Sequence, residues 1–145
     1  MKFFRLSQLL VFVLLAIGCK KKDVLNPNCN YLLNIGVNEV VNMNLPQYSA
    51  LLFTSNAVFV PSAANSGLIV INAGIGYLAW DAADPNHIPN SCGTLTVDGV
   101  VGVCGCDDGN SYSLFTGQPM QNPSLSCALK SYPVTQSGNT LYISN

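Results

Sequence analysis

Charge is what this sequence has least of. Charged side chains make up 9% of its 145 residues, where ordinary soluble domains carry about 25%. Cations are scarcer still beyond the N-terminus, because Lys2, Arg5, Lys20, Lys21 and Lys22 all precede residue 23 and only Lys130 follows. A domain with a single base cannot neutralise a run of phosphates, so nucleic-acid binding is excluded. Histidine is represented once, by His87, and no Gly-x-Ser-x-Gly occurs. The nearest acid to His87 is Asp84, in the same loop, so a Ser-His-Asp triad has no support. There is no phosphate-binding glycine loop, and no amphipathic stretch of helical length appears after residue 23. Asp107 and Asp108 are adjacent in a turn and would point apart, which makes a poor pair for general acid and base work. Solubility is left to uncharged polar groups, and sixteen Asn supply them. The length suits one domain.

What is present begins with an export signal. Lys2 and Arg5 form a short basic region, Leu9 to Ile17 is an unbroken apolar run, and Leu15-Ala16-Ile17-Gly18-Cys19 follows. The run is short for a bilayer span and has the layout of a cleaved signal. Its ending resembles the lipobox of bacterial lipoproteins, in which the Cys is lipidated and becomes the first mature residue. Residues 1–18 are thus expected to be a signal peptide, Cys19 the lipid anchor, and 19–28 a tether whose Lys20-Lys21-Lys22 lies near anionic headgroups. The alternative is an ordinary secretory peptide in which Cys19 is incidental.

Residues 29–145 read as β throughout. Val37, Val41, Met43 and Leu45 alternate with Asn38, Asn42 and Asn44, a period of two with one wet face. Short apolar runs follow at 58–60, 68–71, 77–80, 94–97, 100–104, 112–115, 132–135 and 140–143. Between them stand turn residues such as Gly74-Ile75-Gly76, Asp107-Asp108-Gly109-Asn110 and Ser137-Gly138-Asn139. Asp98-Gly99 between two β-branched runs is a strong hairpin signal. Short strands at this spacing imply a small sandwich or barrel. With Cys19 lipidated, Cys29, Cys92, Cys104, Cys106 and Cys127 remain in an oxidising compartment. Five is odd, so at most two disulfides form and one thiol is left.

The most specific pattern lies between residues 81 and 133. His87 is followed after sixteen residues by Cys104-Gly105-Cys106-Asp107, then Tyr112-Ser113-Leu114-Phe115-Thr116-Gly117, and later Leu129-Lys130-Ser131-Tyr132-Pro133-Val134. This resembles the Rieske iron-sulfur domain, with its Cys-x-His box, a Cys-x-Cys-His box fifteen to seventeen residues on, an aromatic-to-Gly turn and Leu-x-x-Tyr-x-Val. With Asn-Leu-Pro-Gln-Tyr at 44–48 and Gly-Leu-Ile-Val-Ile at 67–71, it is similar to a group of small Rieske-like bacterial lipoproteins. The resemblance implies an all-β Rieske-like fold over 29–145, with a loop-rich subdomain at about 81–120 carrying both boxes. It also implies a bridge between Cys92 and Cys106, tying the ligand loops together. Of the other cysteines, Cys29 with Cys127 is favoured, leaving Cys104 free; Cys104 with Cys127 is the rival.

A Rieske centre holds one iron by two thiolates and the other by two imidazoles. Carried over position by position, the candidate ligands here are Asp84, His87, Cys104 and Asp107, so at most His87 and Cys104 keep the family's chemistry. Asp84 and Asp107 are hard oxygen donors, poorly matched to sulfide-bridged iron. The ligands read as vestigial and no cofactor is expected; a 2Fe-2S centre with altered ligands is the alternative, and a mononuclear ion such as zinc on the same four residues is a further one. A bridge closing a loop of about fifteen residues contributes roughly 3 kcal/mol, against roughly 10 to 16 kcal/mol for a structural zinc site, so packing must stabilise a cluster-free domain.

Three functions follow. The first is a lipid-anchored module of the bacterial cell envelope, on the periplasmic face or outer membrane, with a structural or interaction role toward an unidentified protein and no enzymatic activity. The second is a membrane-tethered electron carrier or oxidoreductase component. The third is an unrelated β-sandwich surface lipoprotein, which requires that the loops at 84–92 and 104–110 do not face each other.

Overall fold

The computed structural model describes residues 29–122 and 124–145; the expected signal peptide over 1–18, Cys19 and the expected tether over 19–28 lie outside them. Among the described residues ten strands form three antiparallel sheets. β1 (Asn38–Asn42), β10 (Thr140–Ser144) and β9 (Val134–Ser137) make the first, in the order β1-β10-β9. The second has the order β2-β3-β4-β8, from β2 (Ala57–Val60), β3 (Leu68–Asn72), β4 (Tyr77–Asp81) and β8 (Ser131–Tyr132). β5 (Leu95–Asp98), β6 (Val101–Cys104) and β7 (Ser111–Ser113) form the third, in sequence order.

Strand β3 explains how the layers stack. Its Leu-Ile-Val-Ile run is apolar at every position, as a strand buried on both faces requires. Leu68 and Val70 enter one core with Val41, Leu141 and Ile143 of the first sheet. Ile69 and Ile71 enter a second core with Leu95, Tyr112 and Leu114 of the third-sheet region. These four side chains are fully buried, and each such burial stabilises by about 1.5–3 kcal/mol. The four-stranded sheet is therefore the middle layer; the first box loop connects its β4 to β5, and the second lies between β6 and β7.

Three sequence expectations shift in position. The alternation at 37–45 predicts one strand, but β1 ends at Asn42 and a seven-residue 3-10 helix occupies Pro46–Leu52. Pro46 cannot donate to a ladder and its fixed φ suits a first helical turn. The run at 132–135 is broken by Pro133 into β8 and β9, which belong to different sheets, because proline interrupts pairing at the crossing. The hairpin at Asp98-Gly99 forms one residue later: Asp98 pairs with Val101, so the loop is Gly99-Val100, with Gly99 at φ +59°.

Trp80 of β4 anchors the aromatic-to-Gly turn. Its indole Nε1 donates to the Leu114 carbonyl at 2.8 Å, and Gly117, at φ +71°, lies flat against the ring. A Cβ at Gly117 would stand 2.7 Å from Trp80 Cζ3. Gly117→Ala therefore combines a left-handed backbone penalty with overpacking and should cost about 2–4 kcal/mol. Urea unfolding checks this; a loss within a few tenths of a kcal/mol would show that the ring yields.

Candidate functional site

The loop after β4 is closed at its neck by Asp84 N donating to Gly93 O (2.8 Å) and Leu95 N donating to Ala82 O (2.6 Å). The second loop follows β6 and begins at Gly105, where a Cβ would lie 2.7 Å from the Cys92 carbonyl oxygen. Only glycine allows that approach. Cys92 and Cys106 are joined by a disulfide, with Cα atoms 4.9 Å apart, so the two loops face each other across a cleft. That removes the unrelated β-sandwich as a reading. The fold is a small all-β one whose two box loops are tied together as the resemblance to the Rieske domain implies. A second disulfide joins Cys29 to Cys127 across 98 residues of sequence, a loop for which chain entropy predicts a contribution of roughly 4–5 kcal/mol. Cys104 is the free cysteine among the described residues, and the rival Cys104 to Cys127 pairing is not formed.

Asp84, His87 and Cys104 come together in the cleft; Asp107 does not. The fourth member is Asp108, and one donor atom from each of Asp84, His87, Cys104 and Asp108 lies within 4.8 Å of all the others. Asp107 and Asp108 are both exposed residues, but Asp108, just before Gly109 at φ +68°, is the one whose carboxylate reaches the histidine. Its Oδ2 stands 2.6 Å from His87 Nε2, and its Oδ1 accepts the Asn110 N–H at 3.2 Å. Cysteine spacing identified the second box but could not register a one-residue difference in this turn.

Asp84 is buried, 2% exposed. A buried carboxylate needs donors, and it has three. Tyr112 Oη and Asn86 N donate to Oδ1, and Asn110 Nδ2 donates to Oδ2 at 2.9 Å. Asn86 also donates through Nδ2 to Tyr112 Oη and to the Cys127 carbonyl, both at 2.8 Å, and accepts the Cys127 N–H at 3.1 Å. The network thus runs from the cleft back to the second disulfide. Asn86 and Asn110 carried no signal in the sequence; Tyr112 was visible only as the start of its turn motif. Asp81, fully buried and bonded to Asn65, Ala83 N and Tyr132 Oη, holds the 61–67 loop and belongs to no site.

Cys104 is nearly enclosed. Its Sγ lies 3.7 Å from His87 Nδ1 and accepts the Cys106 N–H at 3.5 Å. Burial pushes its thiol up to about 12, with Asp84 and Asp108 adding in the same direction against the Cys106 N–H. Lys130 is remote from this charge: its Nζ donates to the Leu33 carbonyl at 2.7 Å and stands over the Tyr132 ring.

No family model matches the chain, and no curated protein does. Among solved structures it is similar to a chain of the "Complex of reduced oxygenase and oxidized ferredoxin in carbazole 1,9a-dioxygenase". The two are 18% identical, over 77% of this chain and 94% of that chain, with a TM-score of 0.49.

The donor set does not fit a 2Fe-2S cluster. A Rieske centre takes two thiolates and two imidazoles, and the cleft presents one thiol, one imidazole and two carboxylates. Cys92 and Cys106 are consumed in their bridge. At 2.6 Å, His87 and Asp108 leave no room for an iron-sulfide rhomb between them, and Asp84 already accepts from three neutral donors, which leaves it one lone pair on Oδ2.

Proposed function

We propose that the chain is a lipid-anchored protein of the bacterial cell envelope whose Rieske-like domain has lost its cluster and serves as a structural or interaction module. One observation carries this: the residues at the ligand positions bond to one another and to Tyr112, Asn86 and Asn110, so a polar network fills the place of the cluster. Two disulfides and two apolar cores stabilise the domain without metal-sulfide chemistry. The anchor is supported by Leu15-Ala16-Ile17-Gly18-Cys19 and by the Lys20-Lys21-Lys22 tether.

The test is iron and acid-labile sulfide analysis of the full chain isolated from membranes, with visible absorption before and after reduction. Colourless protein free of sulfide is expected. Two irons and two sulfides per chain, with a visible charge-transfer spectrum, would overturn the proposal in favour of an electron carrier. Metabolic fatty-acid labelling should be lost in Cys19→Ser; retained label would show that Cys19 is not the anchor.

A further inference from the structure

We infer that the cleft is a site for one divalent transition-metal ion of the zinc class, ligated by Cys104 Sγ, His87 Nδ1 and Asp84 Oδ2, with Asp108 orienting the histidine from behind. This rests on the reading that no cluster fills the cleft. Zinc binds sulfur at about 2.3 Å and imidazole nitrogen or carboxylate oxygen at about 2.0–2.2 Å, so tetrahedral ligand atoms stand about 3.4–3.6 Å apart. Cys104 Sγ to His87 Nδ1 is 3.7 Å, and His87 Nδ1 to Asp84 Oδ2 is 3.9 Å. Those two edges come within about 0.5 Å of tetrahedral values before any ion draws the ligands in, and one donor atom of each residue lies within 4.8 Å of the others. The histidine is partly exposed, which leaves the fourth position open to water.

Each ligand is prepared for the role. An ionised carboxylate has about four lone-pair sites; on Asp84 three are taken by Tyr112, Asn86 and Asn110, and the remaining one is on Oδ2, the oxygen nearer the histidine. Asp108 Oδ2 at 2.6 Å from His87 Nε2 places the imidazole proton on that nitrogen and leaves the Nδ1 lone pair toward Cys104 and Asp84. That is the carboxylate-histidine-metal relay in which the outer carboxylate fixes tautomer and orientation. The Cys106 N–H aimed at Cys104 Sγ supports a thiolate there. Among the described residues the cleft holds two carboxylates and no Lys or Arg, and Lys130 is engaged elsewhere, so a dication offsets most of the negative charge that the carboxylates and the thiolate bring together. The Cys92–Cys106 bridge holds both ligand loops at this spacing without an ion.

The experiment is titration of the chelator-treated full chain, disulfides intact, with Co(II) and then Zn(II). One equivalent of Co(II) should give a near-ultraviolet thiolate-to-cobalt band and tetrahedral visible bands, both erased by Zn(II). Cys104→Ser should abolish the thiolate band. Asp108→Asn, at a partly exposed position, should keep the band and weaken binding about 10- to 100-fold. Circular dichroism and a free-thiol count would certify that each variant is folded. No thiolate-to-cobalt band in the folded parent, a band that survives Cys104→Ser, or Asp108→Asn binding as tightly as the parent would overturn the inference. Iron and sulfide in the protein as isolated would instead overturn the cluster-free reading, so the two failures are distinct.

Discussion

Asp84→Ala is expected to lower the stability of the domain by about 3–5 kcal/mol, the range seen when one member of a buried charged network is removed. Alanine abandons the Tyr112 hydroxyl, the Asn110 amide and the Asn86 N–H at once. An orphaned buried donor costs about 1–3 kcal/mol, and Asn110 and Tyr112 are buried at 3% and 0% exposure, with little water to replace the lost acceptor. Because single domains have only about 5–15 kcal/mol in all, the urea midpoint should fall steeply. Asp84→Asn separates charge from shape. Its oxygen can still accept from Tyr112 and Asn86, but its amide would face the Asn110 amide, so an intermediate loss of about 1–3 kcal/mol is expected. If alanine costs less than about 1 kcal/mol, water has replaced the carboxylate and the network does not hold the loops.

Alkaline pH should destabilise the metal-free protein by a comparable amount. Burial, reinforced by Asp84 and Asp108, raises the Cys104 thiol from 9.0 to about 12. Burial together with Asp84 raises Tyr112, and burial together with Asp81 raises Tyr132, both above the ordinary phenol value of 10.0. In each case the folded state holds its proton more tightly than the unfolded chain. Stability is therefore fully present below the unfolded value and is lost as pH rises through the folded one. For Cys104 that window opens near pH 9 and closes near pH 12, and at about 1.4 kcal/mol per pKa unit the loss reaches roughly 4 kcal/mol. The tyrosines add to it from about pH 10 upward. Urea midpoints measured from pH 8 upward check this: the parent should decline first, and Cys104→Ala should stay level until the tyrosines take over. A parent curve that is flat through this range would mean the thiol is not enclosed as described.

Much of the fold was legible because it depends on patterns local in sequence. The apolar run at 68–71 marks the doubly buried β3, and glycine with Asp or Asn marks the turns. The failures also have local causes. Proline at 46 and 133 redirected the chain where hydrophobic alternation alone predicted continuity. At the site, the box spacing of the resemblance picks out Asp84, His87, Cys104 and Asp107, while it is Asp108 that faces His87, because counting residues cannot say which of two neighbours a turn points inward. Asn86 and Asn110 were illegible for a different reason. In a chain with sixteen Asn, nothing in the sequence separates a buried asparagine holding a carboxylate from an exposed one holding water.

The bond between Cys29 and Cys127 also decides how the molecule answers a mechanical pull. Tension applied to the chain before residue 29 does not reach β1; it crosses the sulfur bridge to residue 127 and leaves through the C-terminal strands. The loop between the two cysteines, which stand 98 positions apart, is shielded from that tension, about 320–350 Å of contour that cannot be drawn out until the bridge is reduced. Force arrives instead at the segment whose peptide groups clasp the Asn86 side chain, and the first element to feel a tug on the N-terminus is the floor of the cleft.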